Sequence, residues 1–445
     1  MRPGRLGELL SVELPVVQGP FGGGLSSVEL TVAVSEGGGL GSYGAHHLAP
    51  DGITALVARL KAATDRPFAV NLWVPQEGEP RPGGHRRHEG HDGSGDSGRP
   101  GDSGGTGGTG GTGGTIDLTS PTGPTGPTDL SELATLPDLA GLSGLAGLPG
   151  LAAHVERLRP YYAELGVAAP TAAELAALPD FDEQLDALLA AAPPVISLVM
   201  GLPPRRLVTE ARRHGIALIG TATTVAEAVA LDASGVDAVV ASGSDAGGHR
   251  GAFLRPVRES LVGTFSLVPQ VADAVAVPVV AAGGIADGRG IAAALALGAD
   301  AVQIGTAFLA ARESGASPVH RRELGGPEAR TTVLTRLFSG RTARGVPNRF
   351  VRDMAAHEDL VPPYPLQNAL MLPIRRAAAE QERADYVNLW AGQAAGLSRP
   401  DVRAAELLAA LVADADAVAD ADAGSHPGAG KRPGGAHGPQ VPRRP

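Results

Sequence analysis

Eight times along this chain a short apolar run ends in glycine or a small polar residue and gives way to a helical pattern. The runs are Pro15–Gln18, Gly39–Gly44, Phe68–Val74, Pro194–Gly201, Ile216–Thr221, Val236–Ala241, Pro278–Ala282 and Ala301–Ile304. Short apolar runs bounded by turn residues read as buried strands. Strands that alternate with helices must pair in parallel, because each helix carries the chain back to the same end of the sheet. Eight such units favour closure into a (β/α)8 TIM barrel over an open doubly wound sheet. The helical signals between them agree. Ser26 or Ser27 can cap a helix running to Ser35, and Asp51–Ala63 carries Leu56, Val57 and Leu60 on one face. Thr223 or Thr224 opens a helix to Ser234 with Glu227 in its first turn, and Asp287–Leu297 ends at Gly298.

The alternation stops at residues 76–150. Gly-Gly-Thr repeats between Gly104 and Thr115, Pro-Thr-Gly repeats from Pro121, and Leu-Ala-Gly-like triplets follow from Leu139. The first two parts hold too little apolar surface to offset chain entropy, so a disordered insert is predicted. His85, His88 and His91 lie there among arginines and acids and read as a solvated polar run rather than a metal tract. The predicted organisation is therefore barrel over 1–75, insert over 76–150, the rest of the barrel over 151–312, a largely helical region over 313–412, and a disordered tail over 413–445. Helices are expected at 152–165 and 171–191, ahead of the fourth strand. The chain contains no cysteine, which removes disulfides, thiolate catalysis, iron–sulfur clusters and cysteine-ligated zinc. A net charge of -10 argues against a general nucleic-acid binder. No apolar run approaches the ~20 residues that span a bilayer, and no signal-peptide core is evident, so a cytoplasmic setting is expected.

In a (β/α)8 barrel the site lies at the C-terminal ends of the strands. Gln18, Asn71, Met200–Gly201, Thr221, Gly283–Gly284 and Gln303–Thr306 all fall at such ends, and His249 follows the sixth strand. Gly247 and Gly248 ahead of His249 let backbone pass close to a bulky ligand, and His249 brings the one side chain suited to proton transfer near neutral pH. Asp245 can pair with Arg250 or orient this loop. Gly283-Gly284 and Gln303-Ile304-Gly305-Thr306 end two successive strands with free backbone N–H groups and one hydroxyl, the usual phosphate position of these barrels. Neither loop fits a dinucleotide fingerprint or a P-loop. Gly22 and Gly23, in the glycine-rich turn after the first strand, can lie flat against a planar ring. Asn71 either meets that ring or satisfies nearby backbone. A phosphate on one side of the mouth and flat polar recognition on the other suit flavin mononucleotide (FMN). No Gly-x-Ser-x-Gly elbow supports a hydrolase. His46 and His47 are expected at the periphery.

The motifs Pro15-Val-Val-Gln-Gly-Pro20, Ala69-Val-Asn-Leu72, Asp245-Ala-Gly-Gly-His-Arg-Gly251, Ala281-Ala-Gly-Gly-Ile-Ala-Asp-Gly288 and Val302-Gln-Ile-Gly-Thr306 resemble the nitronate monooxygenases, once called 2-nitropropane dioxygenases. Ser339-Gly-Arg341 and Tyr364-Pro-Leu-Gln-Asn368 extend the resemblance, which covers roughly residues 10–75 and 150–410. It implies FMN contacts at Asn71, Gly247, Gly284 and Gln303–Thr306, and His249 as the active-site imidazole. Ser242 stands where the family carries glutamine, Asp245 where it carries glutamate, and Phe21 where methionine is common; Ser242 remains a candidate flavin contact. The implied activity is oxidation of an alkyl nitronate by dioxygen to a carbonyl compound and nitrite. The alternatives are an NAD(P)H-dependent relative of the FMN-containing enoyl-acyl-carrier-protein reductases, and a flavin-binding protein without turnover. Partners are expected to be the small-molecule substrate and dioxygen, with homo-oligomerisation open. Replacing Gly78–Pro137 by a short Gly/Ser linker is expected to leave flavin content and turnover nearly unchanged. Loss of soluble protein or of activity would give the insert a structural or catalytic part.

Overall fold

The computed structural model describes residues 4–76, 151–170 and 179–425. The insert with His85, His88 and His91, the first part of the 171–191 helix and the end of the tail lie outside the described residues. Eight parallel strands form the barrel: β1 Val16–Gln18, β2 Gly41–Gly44, β3 Phe68–Trp73, β4 Val195–Val199, β5 Ala217–Ala222, β6 Ala238–Ser242, β8 Val279–Ala282 and β9 Ala301–Ile304. The remaining strand of this part of the chain, β7 Gly248–His249, lies outside the barrel sheet. The barrel order is β1-β9-β8-β6-β5-β4-β3-β2. Leu40, just before β2, closes it: its N–H donates to the Val16 carbonyl and its carbonyl accepts from the Gln18 N–H, both at 2.9 Å.

Alternation along the strands sorts side chains into two cores. Val17, Leu40, Ala69, Val195, Ile219, Val240, Val280 and Ala301 fill the barrel, while Val16, Val70, Ile196, Val239, Val279 and Val302 face the surrounding helices. The same parity turns Asn71, Trp73, Ser197, Thr221, Ser242 and Gln303 inward at or near the C-terminal ends. The N-terminal helix Gly4–Leu10 supplies Leu6 and Leu10 to the inner core. Arg5 fixes that helix by a bidentate pair to Asp300, at 2.8 Å on both oxygens, at the N-terminal end of β9. One end of the barrel is thereby sealed and the other left for chemistry. Around the outside, helices such as Pro50–Ala63 bury one stripe, here Ile53, Leu56, Val57 and Leu60.

The insert departs from the open end. Gln76, three residues past β3, donates from its side chain to the Ala252 carbonyl at 2.7 Å, beside the segment that carries His249.

The C-terminal region is not purely helical. β10 Val333–Thr335 and β11 Ala343–Gly345 pair antiparallel, and β11 pairs in turn with β7. A second core forms here, around Phe338, Phe350, Met371, Ile374 and Tyr386, with Leu158 and Tyr162 contributed by helix Leu151–Leu165. The tail expectation also needs correction: a helix runs from Ala404 to Ser425, beyond residue 413. Leu407, Leu408, Leu411 and Ala415 make a helical-period stripe against the barrel core, and burial of each leucine contributes roughly 1.5–3 kcal/mol. Ala415 sits where a Cβ on Gly288 would come within 2.3 Å of its backbone nitrogen. Gly288→Val is therefore expected to lower stability by about 1–3 kcal/mol in urea unfolding. An unchanged midpoint would mean that residues past 413 do not pack on the barrel.

Candidate active site

His249 is held on a strand rather than in a free loop. After β6 the chain swings out and returns as β7, where Gly248 and His249 pair with Arg344 and Ala343. The loop between is pinned from two sides. The Asp245 carboxylate accepts from the Thr264 N–H at 2.8 Å and its hydroxyl at 2.9 Å, so Asp245 orients the loop instead of pairing with Arg250. Arg250 donates to the carbonyls of Gly243 and Ser242 at 2.7 and 2.9 Å, and Arg344 to that of Ser244 at 2.8 Å. Three successive carbonyls thus point at guanidinium groups. Burial and the neighbouring Arg344 charge lower the pKa of Arg250 to about 10, which leaves it charged at neutral pH.

The imidazole Nε2 of His249 lies 2.8 Å from the Ser339 hydroxyl, which itself lies 3.1 Å from the Arg341 carbonyl. A carbonyl can only accept, and with the hydroxyl proton on the Arg341 carbonyl it is Nε2 that donates to the Ser339 oxygen. The tautomer assigned from this network leaves Nδ1 as the basic nitrogen. The ring retains some surface accessibility, but protein crowds it closely. Burial first, then the positive charges of Arg341 and Arg375, hold its pKa down to about 3. His249 is therefore neutral at physiological pH.

An aromatic wall surrounds it. Trp73 and Trp390, the only two tryptophans of the chain, stand edge-on to His249 with centroids at 4.9 and 5.3 Å. His46 stacks on Trp73 at 3.7 Å with planes 9° apart, so it belongs to the site rather than its periphery; His47 is exposed. Desolvation first, then the neighbouring His47, His249 and Arg341, drive the pKa of His46 well below its ordinary value. Arg341 lies over Trp73 and Tyr364, 5.4 and 4.5 Å from their centroids, and reaches the Met200 sulfur. Arg375 is met by neutral oxygens, donating to the carbonyl and side-chain oxygens of Asn368. Trp73 was findable from strand parity, being two residues beyond Asn71. Arg341 and Tyr364 lie in segments that carried the family resemblance, but no local pattern placed them over a strand of the barrel.

Across the mouth lie the predicted cofactor residues. β6, β8 and β9 are neighbours, which brings Ser242, Gly283–Gly284 and Gln303–Thr306 together, with Asn71 on β3 on the far side. Gly283 and Gly284 have φ of 109° and 70°, a region side chains rarely adopt, and a Cβ on Gly283 would stand 2.8 Å from the Ala246 nitrogen. Ile304 turns its side chain to the outer core, leaving only backbone for a ligand. Thr306 accepts from the Gly392 N–H at 2.9 Å. Asn71 donates to the Ser197 hydroxyl and carbonyl at 3.0 and 3.2 Å. Two glycines serve protein contacts: Gly22 lies against the His46 ring, and a Cβ on Gly247 would meet the Gly392 nitrogen at 2.4 Å. Gly23 and Gly248, both at positive φ, meet nothing within 4 Å of their Cβ positions. Gln18 is used internally, accepting from the Ser42 N–H and bonding the Gly19 carbonyl. Among the described residues no cluster of three or more His, Cys, Asp or Glu could hold a metal, and no helix is long and apolar enough to cross a membrane.

The sequence profile described as nitronate monooxygenase matches residues 4–89 and 151–414. The chain belongs to the nitronate monooxygenase family. A probable nitronate monooxygenase of Staphylococcus saprophyticus is 33% identical over 392 residues, covering 87% of this chain and 91% of the relative. One of Staphylococcus aureus strain Newman is 32% identical over 399 residues, covering 88% and 92%. Among solved structures, nitroalkane oxidase from Streptomyces ansochromogenes superposes with a TM-score of 0.72 at 34% identity, covering 94% of this chain and 99% of that one. FabK from Thermotoga maritima, at 24% identity and a TM-score of 0.63 over 95% and 99%, shares the fold. The chain is thus a family oxidoreductase built on a TIM barrel. Replacing Arg341 by Met removes one of the two charges acting on His249, so the imidazole pKa should rise toward its ordinary value. Histidine ¹⁵N NMR over pH 3–8 measures this; an unmoved titration would remove Arg341 from the electrostatics of the site.

Proposed function

We propose that this chain oxidises alkyl nitronates, such as propionate 3-nitronate, with dioxygen, giving a carbonyl compound and nitrite, and that it does so with FMN. The observation that carries the reading is a neutral imidazole set beside two guanidinium groups in a crowded aromatic mouth. Such a mouth favours an anion, and a nitronate is one. The nitroalkane oxidase likeness and the family membership point the same way.

The residues fit an FMN. Gly283, Gly284, Gly305 and Thr306 would hold its phosphate through backbone N–H groups and one hydroxyl, and Asn71, Ser242 and Gln303 would face the ring system. Gly23 and Gly248 would shape the walls of its cleft, while Gly22 and Gly247 pack against His46 and Gly392 behind them. Bound there, the flavin supplies the redox step and the reaction with dioxygen. His249 positions the substrate. An anion against the ring opposes the charges that keep it deprotonated and so favours protonation of Nδ1, the nitrogen that would then donate to the nitronate. A neutral nitroalkane asks for a base instead, and an imidazole with its pKa near 3 is a poor one at neutral pH. The base role left open by the sequence is therefore the weaker of the two.

Because the free imidazole titrates near 3, kcat/KM for a nitronate should show no inflection near 6.5 between about pH 5 and 8. His249→Asn retains a donor and should lower kcat/KM about tenfold to a hundredfold, the range of one charge-assisted hydrogen bond of about 1.5–3 kcal/mol. Oxygen uptake and nitrite release by flavin-matched proteins decide both points. Release of FAD, or of no flavin, on heating would refute the cofactor assignment. Rapid bleaching by NADH with no nitrite from any nitronate would favour the enoyl-reductase reading, and bound FMN without turnover a binding protein.

A further inference from the structure

Residues Trp390–Gln393 cross the barrel mouth and touch both halves of the site. Trp390 bridges Gly345 at the end of β11 and presents its ring edge to His249. Its carbonyl accepts from the buried His320 at 3.1 Å, and the Ala391 N–H donates to the Arg344 carbonyl at 3.2 Å. The next two amides leave the C-terminal region for the barrel. The Gly392 N–H donates to the Thr306 hydroxyl at 2.9 Å, and the Gln393 N–H to the Asp245 carbonyl at 2.9 Å. The Gln393 side chain accepts from Thr332 at 2.6 Å, tying the far end back to the C-terminal region. Beneath this crossing lies Gly247, whose missing Cβ is the space that Ala391 and Gly392 occupy.

The bond to Thr306 has a directional consequence. A hydroxyl has one proton, and here one lone pair is already filled by an amide N–H. The proton is then free to point into the cradle formed with Gly283 and Gly284. We propose that Trp390–Gln393 is a clasp that sets the Thr306 hydroxyl as a donor to the cofactor phosphate and locks the His249 loop in register with it. This rests on the FMN reading. It assigns Gly247, Gly392 and Gln393 as positioning residues acting through Thr306, a role that local sequence motifs did not give them.

The test is the FMN dissociation constant of the whole protein, measured by flavin fluorescence, with thermal unfolding as a control for the fold. Thr306→Val should weaken binding about tenfold to a hundredfold, since it removes a hydrogen bond to a charged group. Thr306→Ser keeps the hydroxyl and should stay within about threefold of wild type. Gly247→Ala forces Ala391–Gly392 away and should approach the loss of Thr306→Val. Placed on Thr306→Val it should add little, because both act through one bond. If Gly247→Ala does not fold, Gln393→Ala loosens the same clasp from an exposed position. It should weaken FMN severalfold in the wild-type background and leave it unchanged when Thr306→Val is already present. Additive losses, or wild-type affinity in the Gly247 and Gln393 variants, would overturn the clasp while leaving the flavin reading intact. Wild-type protein that binds no FMN would overturn the flavin reading, and the clasp with it.

Discussion

The site depends on a two-residue pairing. Gly248 and His249 form only a fragment of strand, yet through Ala343 and Arg344 they join the barrel to the C-terminal sheet. Without that pairing the His249 loop would be an excursion from β6 with nothing to aim it. With it, the imidazole is fixed between Ser339 and two tryptophans. The pairing would be weak alone. Asp245 on Thr264, Arg250 on the Ser242 and Gly243 carbonyls, and Arg344 on Ser244 make the loop rigid enough for so short a strand to hold.

The electrostatics of the mouth run against those of the whole chain. The protein carries a net charge of -10, but Arg250, Arg341, Arg344 and Arg375 gather around one end of the barrel. The bonds that Arg250, Arg344 and Arg375 make here go to carbonyls and neutral side chains, which cancel charge less than carboxylate pairs would. Loop carbonyls are shielded by Arg250 and Arg344, while Arg341 and Arg375 act on His249. Structure is thus held and an anion invited by the same residue type in two layers. The aromatic faces next to Arg341 supply attraction without quenching its charge.

The barrel was legible because its signal is periodic and local. Each of the eight strands falls inside or within a residue of its apolar run, and Ser27 and Thr224 cap the helices they were expected to cap. The glycine-ended strands and His249 came from the same logic. What escaped was what depends on distant partners. His46 looked peripheral because nothing local says that Trp73 will lie parallel to it. No motif announces that residues 391 and 392 will lie where a Gly247 side chain would stand. The helix to Ser425 was hidden by an Ala/Asp-rich composition whose apolar stripe matters only once Gly288 offers a flat surface.

Gln76 fixes where the long insert begins. It leaves β3 at the open end of the barrel and is bonded to Ala252, three residues beyond His249. The opposite end is sealed by the Arg5–Asp300 helix. An insertion at this point is rooted beside the catalytic face. Placed at a loop of the sealed end, the same sequence would have no such proximity to the chemistry.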